Sequence, residues 1–321
     1  MDELVVFCDR DSLEAEYLTE FVSNRRVPQN LFYLMNGADS FYSYRNGELE
    51  LIPWRQEYDF FVRQSLWTRE QSVGFVSLGC GNARPEQVLL RSLHADGYDI
   101  TYIGVDSSEA MLTMARGNLE HEGFRRSFVL ADFGHPDFAS DLRQLIGDCD
   151  SRLFAMIGAT FGNFDQTFIA DLLGELVPPN DYVYLDVVPM YQEEDLNGRL
   201  RARLSRVPEN LSRFFDRLLA TLGLSLAQGH VICDEGGDGD LHAMRFTFLF
   251  EVDSRITISC LGGETDLLPG ERIELLSVRA YDVESLKTFM EQRGFRFLDT
   301  YIPDAADSGH LWQRLLFVKT A

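Results

Sequence analysis

Cysteine is scarce and shows no pairing pattern: Cys8, Cys80, Cys149, Cys233 and Cys260 are scattered, with no C-x-x-C and no even framework. A disulfide scaffold is not expected, and a reducing, cytoplasmic setting is. Long apolar runs are missing as well. No window approaches about 18 consecutive apolar residues, the length of a membrane span. The first residues, MDELVVFCDRDSLEAE, carry acids from position 2 and no basic n-region, so no secretory signal is expected. Positive charge is in short supply: 29 Lys plus Arg stand against 51 Asp plus Glu, a net charge of −22. A field of that sign repels phosphate backbones and anionic lipid, so neither nucleic acid nor membrane is an expected partner. The most basic stretch, NGRLRARLSR (197–206), is interrupted by apolar residues at helical spacing and reads as the solvated face of a helix. The same negative field favours the approach of cationic amines.

Several catalytic patterns are absent too. The six histidines (94, 121, 135, 230, 242 and 310) form no H-x-x-x-H or H-E-x-x-H, so no metal site is expected. GDGDLH (237–242) starts like a calcium loop but lacks its later glutamate, and reads as a loop. There is no G-x-S-x-G elbow for a nucleophilic serine.

Core-forming material, by contrast, is plentiful. Hydrophobic residues make up 45% of the 321 positions and aromatics 12%, enough for one large domain or two. From about 74 to 187, short β-rich runs alternate with helical segments. The runs are GFVSLG (74–79), ITYIGVD (100–106), SFVLADF (127–133), LFAMIG (153–158) and YVYLDVV (182–188). Between them RPEQVLLRSLHA, SSEAMLTMARGNLEHE and TFIADLLGELV repeat apolar residues at helical spacing. This alternation predicts βαβ units and a parallel sheet covered on both faces. Downstream, 193–225 reads helical. HAMRFTFLFEV and RITISCLGG then predict a hairpin turning at DS, with RIELLSVRAYD beside it. The helix VESLKTFMEQRG and the strands FRFLDTYI and WQRLLFVKT close the chain. The expected division is a helical segment over 1–65, a doubly wound domain over 66–190 and 282–321, and an inserted α+β domain over 191–281. The first and last of these would form a smaller substrate-side cap.

The first βα turn, GFVSLGCGNARPEQ, sets the cofactor question. A G-x-G after a strand lets a ligand approach the backbone, and the helix that follows attracts anionic groups. A dinucleotide fingerprint needs a third glycine, and Arg84 stands there instead. The shorter motif, Gly79–Cys80–Gly81, suits S-adenosyl-L-methionine better than a diphosphate. The next strand ends in Asp106, followed by Ser107, where a carboxylate can accept both ribose hydroxyl protons. The third ends in Asp132–Phe133, placed to accept from an adenine amino group. Asp106 alone could equally cap the following helix. Cys80 in the turn reads as a small packing residue rather than a nucleophile. Ser77 stands two residues before the first glycine, where many methyltransferases carry an acid.

FVSLGCGNARPEQVLL, IGATFGNFD (157–165) and NLFYLMNGADSFY together resemble the histidine-specific, S-adenosylmethionine-dependent methyltransferase family. The resemblance implies a class I methyltransferase fold, a Rossmann-like doubly wound sheet with a smaller α+β substrate cap, and amino-acid N-methylation. It implies that Tyr33 and Phe41 line the pocket, and that Asn163, with Gly158 beside it, holds the amino acid's α-amino and carboxylate end. Met244 would be a pocket methionine. Three departures bear on substrate. Ile52 replaces a pocket tyrosine, and a gap-free alignment puts Leu276 and Val278 where the family grips imidazole with a glutamate and a serine. A shift by two brings Glu274 to the glutamate's place instead. With Leu276 and Val278 in the pocket, a buried imidazole N–H finds no acceptor, and a more apolar amino acid or amine is expected. Asn163 would orient the amine, with Tyr33 helping to position or deprotonate it. The alternative is a protein of this fold that binds the cofactor without turnover. Nothing in the chain sets an oligomeric state.

Overall fold

The computed structural model describes residues 3–7, 10–27, 54–158, 160–190, 215–216, 218–220, 222–238, 241–252, 254–258, 263–302 and 313–321. In chain order its elements begin with β1 (Glu3–Val6), α1 (Arg10–Asn24), α2 (Trp54–Gln64) and β2 (Ser72–Leu78). Then come α3 (Arg84–Ala95), β3 (Asp99–Asp106), α4 (Glu109–Leu119), β4 (Arg125–Leu130), α5 (Phe138–Ile146) and β5 (Ser151–Met156). A 3-10 turn (Thr160–Asn163), α6 (Gln166–Leu176) and β6 (Tyr182–Pro189) follow. The remainder is β7 (Gly229–Asp238), β8 (Leu241–Phe250), β9 (Ser254–Ile258), β10 (Gly263–Leu267), β11 (Arg272–Tyr281), α7 (Val283–Glu291), β12 (Phe295–Tyr301) and β13 (Gln313–Lys319).

The chain divides into two compact units. The first comprises Met1–Phe7, Leu49–Pro189 and Tyr281–Ala321; the second, Cys8–Glu48 and Met190–Ala280. In the first unit the strands run in the order β1-β4-β3-β2-β5-β6, all parallel, and β13 then pairs antiparallel with both β6 and β12. The order reverses between β2 and β5, so a crevice opens at the carboxyl end of β2, where doubly wound sheets bind their ligands. The central strands are apolar along almost their whole length: β2 is buried from Val73 to Leu78, and β5 from Leu153 to Met156. That is the pattern of strands covered on both faces. On one face Phe60, Phe61, Leu89, Leu90, Leu93 and Leu112 pack against Phe75, Tyr102, Phe128 and Tyr184.

The expected strands are present, and in the first unit three features differ from expectation. ELVV, read as part of a helical and loop-like segment, is the edge strand β1, paired with β4. A four-residue run is too short for periodicity to separate strand from helix. Helix α5 was not expected, although Phe138, Ala139, Leu142 and Ile146 line its buried face. Helix α2, grouped by the sequence with the amino-terminal segment, lies in the first unit.

In the second unit α1 supplies Tyr17 and Phe21 to a core shared with Phe215, Leu219, Phe246, Phe248, Ile273 and Leu275. The hairpin expected between HAMRFTFLFEV and RITISCLGG does not form. Strand β8 instead pairs antiparallel with β7 on one side and β11 on the other, while β9 pairs with β10. Alternation marks a strand without naming its partner. GDGDLH, expected as a loop, instead places Gly237 and Asp238 at the end of β7 and Leu241 and His242 at the start of β8, with Asp238 opposite Leu241; residues 239–240 lie outside the described residues.

Candidate functional site

The glycine turn is shaped by three successive left-handed residues: Gly79 at φ +71, Gly81 at φ +53 and Ala83 at φ +54. The N–H groups of Gly79 and Cys80 both donate to the carbonyl of Val105, at 2.8 and 2.9 Å, which ties the turn to the end of β3. The two glycines are needed for different reasons. A Cβ on Gly79 would stand 2.4 Å from Thr160 Cγ2, so the position is closed by packing as well as by its φ. A Cβ on Gly81 would meet no heavy atom of the described residues within 4 Å, so among these the space above it is open. Cys80 points the other way. Its buried thiol lies near Tyr102 over Gly104, and burial first of all, then Asp106 and Glu86, pushes its pKa well up. It is a neutral packing group whose backbone shapes the turn.

Asp106 is 8% exposed, and both of its oxygens are used by backbone. Oδ2 accepts the Gly81 N–H at 2.8 Å and Oδ1 the Ser108 N–H at 2.9 Å. Burial raises its pKa to about 6, against the pull of these N–H donors. The cap of α4 is Ser108, whose hydroxyl accepts from Met111 N–H at 3.3 Å, so Asp106 is not the helix cap. A carboxylate has about four acceptor positions; with the Ser107 N–H also facing it, three backbone donors leave at least one for a ligand. Ser107, beside it, is half-buried.

Asp132 follows the end of β4, and its Oδ1 accepts the Gly134 N–H at 2.7 Å. Phe133 is buried between Phe138 and Phe164, with ring centroids 5.3 and 5.1 Å away. After β5 the chain turns at Gly158, φ +84, whose N–H donates to Asp186 Oδ2 at 2.9 Å. Asn163 closes the 3-10 turn, half-buried. It does not cap α6, because Asp165 does so by accepting from Thr167 and Phe168 N–H. The first unit therefore joins Gly81 to Asp106 by a direct bond and ties Gly79 to the neighbouring Val105, and Thr160 joins Gly79 to the loop after β5 through its hydroxyl, 3.4 Å from the Gly79 carbonyl.

In the second unit Met244 and Val278 are register partners on β8 and β11; their side chains lie outside the described residues. The register slips between Glu274 and Leu276. Leu276 packs, partly buried, against the apolar core. Glu274 is engaged by two arginines, Arg26 Nε at 3.3 Å and Arg245 Nε at 3.9 Å. Tyr33, Phe41 and Ile52 lie outside the described residues.

A buried polar cluster went unnoticed in the sequence. Arg314 of β13 pairs with Glu57 of α2, and its Nε lies 3.8 Å from Asp186 Oδ1. Tyr184 donates to Glu57 Oε1 at 2.8 Å. Burial lifts the Glu57 pKa although Arg314 opposes it. Burial also pulls Arg314 down, but the two carboxylates outweigh it and hold it charged. Close by, Ser77 donates to the buried carboxyl of Glu86 in the first turn of α3. The signal was an acid in YLDVV and an arginine in QRLLFV, each amid apolar strand residues.

The left-handed glycine turn, open space above Gly81 and an acid with spare acceptor capacity at the next strand end fit a nucleoside whose ribose faces Asp106. With the 3-2-1-4-5 order of the parallel strands β4-β3-β2-β5-β6, this is the class I methyltransferase arrangement, a Rossmann-like α/β fold. The chain belongs to the histidine-specific, SAM-dependent methyltransferase family, whose model matches residues 13–182. S-adenosylmethionine is that family's cofactor, and the residues just described fit it. The 4-dimethylallyltryptophan N-methyltransferase easF of Claviceps fusiformis is 29% identical over 174 residues, 52% of this chain and 48% of that protein. The chain thus spans about half the length of that curated relative. Among solved structures, the 1,6-didemethyltoxoflavin-N1-methyltransferase of Burkholderia thailandensis aligns with a TM-score of 0.45 at 12% identity, over 88% of this chain and 86% of that one. The glycopeptide N-methyltransferase MtfA aligns with a TM-score of 0.41 at 11% identity, over 83% and 93%. Likenesses this weak add nothing to the strand order. No described helix is long and apolar enough to cross a membrane.

Proposed function

We propose that this protein is a SAM-dependent N-methyltransferase acting on the amino group of an amino acid or small amine whose side chain is more apolar than imidazole. The observation that carries the reading is Asp106, a buried carboxylate bonded to the Gly81 N–H beside open space at the head of the glycine turn. Asp106 would accept the ribose hydroxyls, and Asp132 the adenine amino group, with Ser107 and Phe133 beside them. The backbone of Gly79, Cys80 and Gly81, with Gly158 across the crevice, would receive the methionine end. When bound, S-adenosylmethionine supplies an electrophilic methyl group. A neutral amine would take that methyl group in line, the N–C bond forming as the S–C bond breaks, with S-adenosylhomocysteine leaving and the proton on nitrogen passing to solvent or a nearby base. The chain's own contribution is orientation and exclusion of water. Asn163 is assigned to orient the amine and Tyr33 to position or deprotonate it; both would touch the substrate.

Two observations favour an apolar side chain over histidine. Glu274, the remaining candidate for gripping imidazole, is engaged by Arg26 and Arg245. The other support is from sequence: Leu276, Val278, Met244, Phe41 and Ile52, the residues that the family resemblance assigns to the pocket, are all apolar. The relative's printed name, a methyltransferase of prenylated tryptophan, points the same way.

The test is calorimetric titration with S-adenosylmethionine and S-adenosylhomocysteine, followed by methyl transfer to a panel of amino acids and amines. Cofactor binding with turnover of an apolar or aromatic amino acid and weaker turnover of histidine is the expected result. Binding without turnover across the panel would indicate a non-catalytic cofactor-binding protein. Preference for histidine would contradict the pocket assignment.

A further inference from the structure

Ser77 takes the place of an acid, and the structure puts an acid against it from elsewhere. Glu86 is 1% exposed in the first turn of α3, and its Oε1 accepts the Ser77 hydroxyl at the end of β2. Its other oxygen, Oε2, is buried with no side-chain partner among the described residues, and apart from Ser77 only the Glu86 backbone N–H is placed to bond the carboxyl. The groups facing it are Ser77 on β2, Cys80 in the glycine turn, Tyr102 on β3, Glu57 on α2 and Arg314 on β13. Among these Arg314 is the only cation, and it already pairs with Glu57 and lies beside Asp186. Among the described residues Glu86 is thus a buried carboxyl with no counter-ion of its own.

Burying a carboxylate without a cation is costly, and an amide or apolar residue would pack there at lower cost. A carboxyl retained directly behind the turn makes sense if a positive charge arrives in front of it. S-adenosylmethionine brings one: its methionine end carries an ammonium group as well as the sulfonium. We propose that Glu86, held by Ser77, supplies from α3 the carboxylate that β2 lacks, and acts as a positioning residue for the cationic methionine end of the cofactor. This rests on reading the glycine turn as the cofactor cradle. The group's ionisation lies in a useful range, since burial raises the Glu86 pKa to about 7 with the Ser77 bond opposing.

The experiment compares the wild-type chain with Glu86→Gln and with the exchange variant Ser77→Asp/Glu86→Ala. Affinity for S-adenosylhomocysteine and S-adenosylmethionine is measured by calorimetry at pH 6, 7 and 8, and melting temperature is read alongside. Loss of a charge-assisted contact predicts about tenfold weaker binding by Glu86→Gln at pH 8. Wild-type affinity should rise severalfold from pH 6 to 8, and that rise should flatten in Glu86→Gln while its melting temperature holds or increases. The exchange variant, with the carboxylate returned to the strand, should recover most of the affinity. Wild-type affinity and pH slope in Glu86→Gln would overturn the proposal, as would a loss of affinity that only tracks a lower melting temperature. If the wild type binds neither nucleoside, the cradle reading fails with it; if the wild type binds and Glu86→Gln is unchanged, this inference alone fails.

Discussion

Asp106 ends β3 and Asp186 lies near the end of β6, and each accepts the N–H of a left-handed glycine, Gly81 at 2.8 Å and Gly158 at 2.9 Å. Both are buried, at 8% and 3% exposure. Their counter-charges differ. Asp186 lies beside Arg314, which also pairs with Glu57, so its charge is answered inside the fold. Among the described residues Asp106 is answered by backbone N–H groups alone, and the Gly81 it holds faces open space. An acid balanced by an arginine builds the scaffold; an acid held by backbone dipoles alone keeps acceptor capacity for a ligand.

The comparison breaks most visibly at Arg314. Arg314→Met leaves Glu57 and Asp186 buried without a cation and should cost about 3–5 kcal/mol in urea unfolding. A loss well under 1 kcal/mol would mean that the scaffold role is misplaced. Asp106→Ala should behave differently. It should weaken S-adenosylhomocysteine binding by roughly ten- to a hundredfold, the loss of one or two hydrogen bonds to a charged group, with the smaller share of its effect on stability.

A pH series sharpens the contrast. Burial raises Asp106 to about 6 and Glu86 to about 7, against ordinary values near 4. Between pH 4 and 7 the native state therefore holds protons that the unfolded chain has released, and stability falls as pH rises through that window. Glu86→Gln removes its part of the fall, so its stability relative to wild type should improve by on the order of 2 kcal/mol from pH 4 to pH 8. Denaturant midpoints across pH would read this, and parallel curves for the two proteins would contradict it. The smallest effect concerns the glycines. Gly79→Ala meets both the strained φ and Thr160 Cγ2 at 2.4 Å, whereas Gly81→Ala meets only the φ. Gly79→Ala should be less stable than Gly81→Ala by about 1 kcal/mol or more in thermal melts, a φ > 0 alone costing about 1–2 kcal/mol.

The parallel sheet was legible because its strands are apolar runs separated by helices with clear periodicity, and Asp106 because an acid ending such a run has few reasons to be there. The partners of β8 were not legible, since alternation gives a strand its faces and not its neighbours. Nor was the Glu57–Arg314–Asp186 cluster, whose members come from positions 57, 186 and 314 and meet only in the folded sheet. Ser77 looked like a missing acid because its replacement sits nine residues on, one strand-to-helix turn away, where spacing alone does not point back to it. The substrate side was read from resemblance more than from chemistry, and Tyr33, Phe41 and Ile52 lie outside the described residues.

The central claim is that the turn at Gly79–Gly81 with Asp106 holds S-adenosylmethionine. Calorimetric titration of S-adenosylhomocysteine into the wild type and Asp106→Ala at pH 8 tests it most directly. Saturable one-to-one binding by the wild type, weakened at least tenfold in a folded Asp106→Ala variant, is the expected result. Equal affinity in the two proteins, or no binding by the wild type, would contradict it.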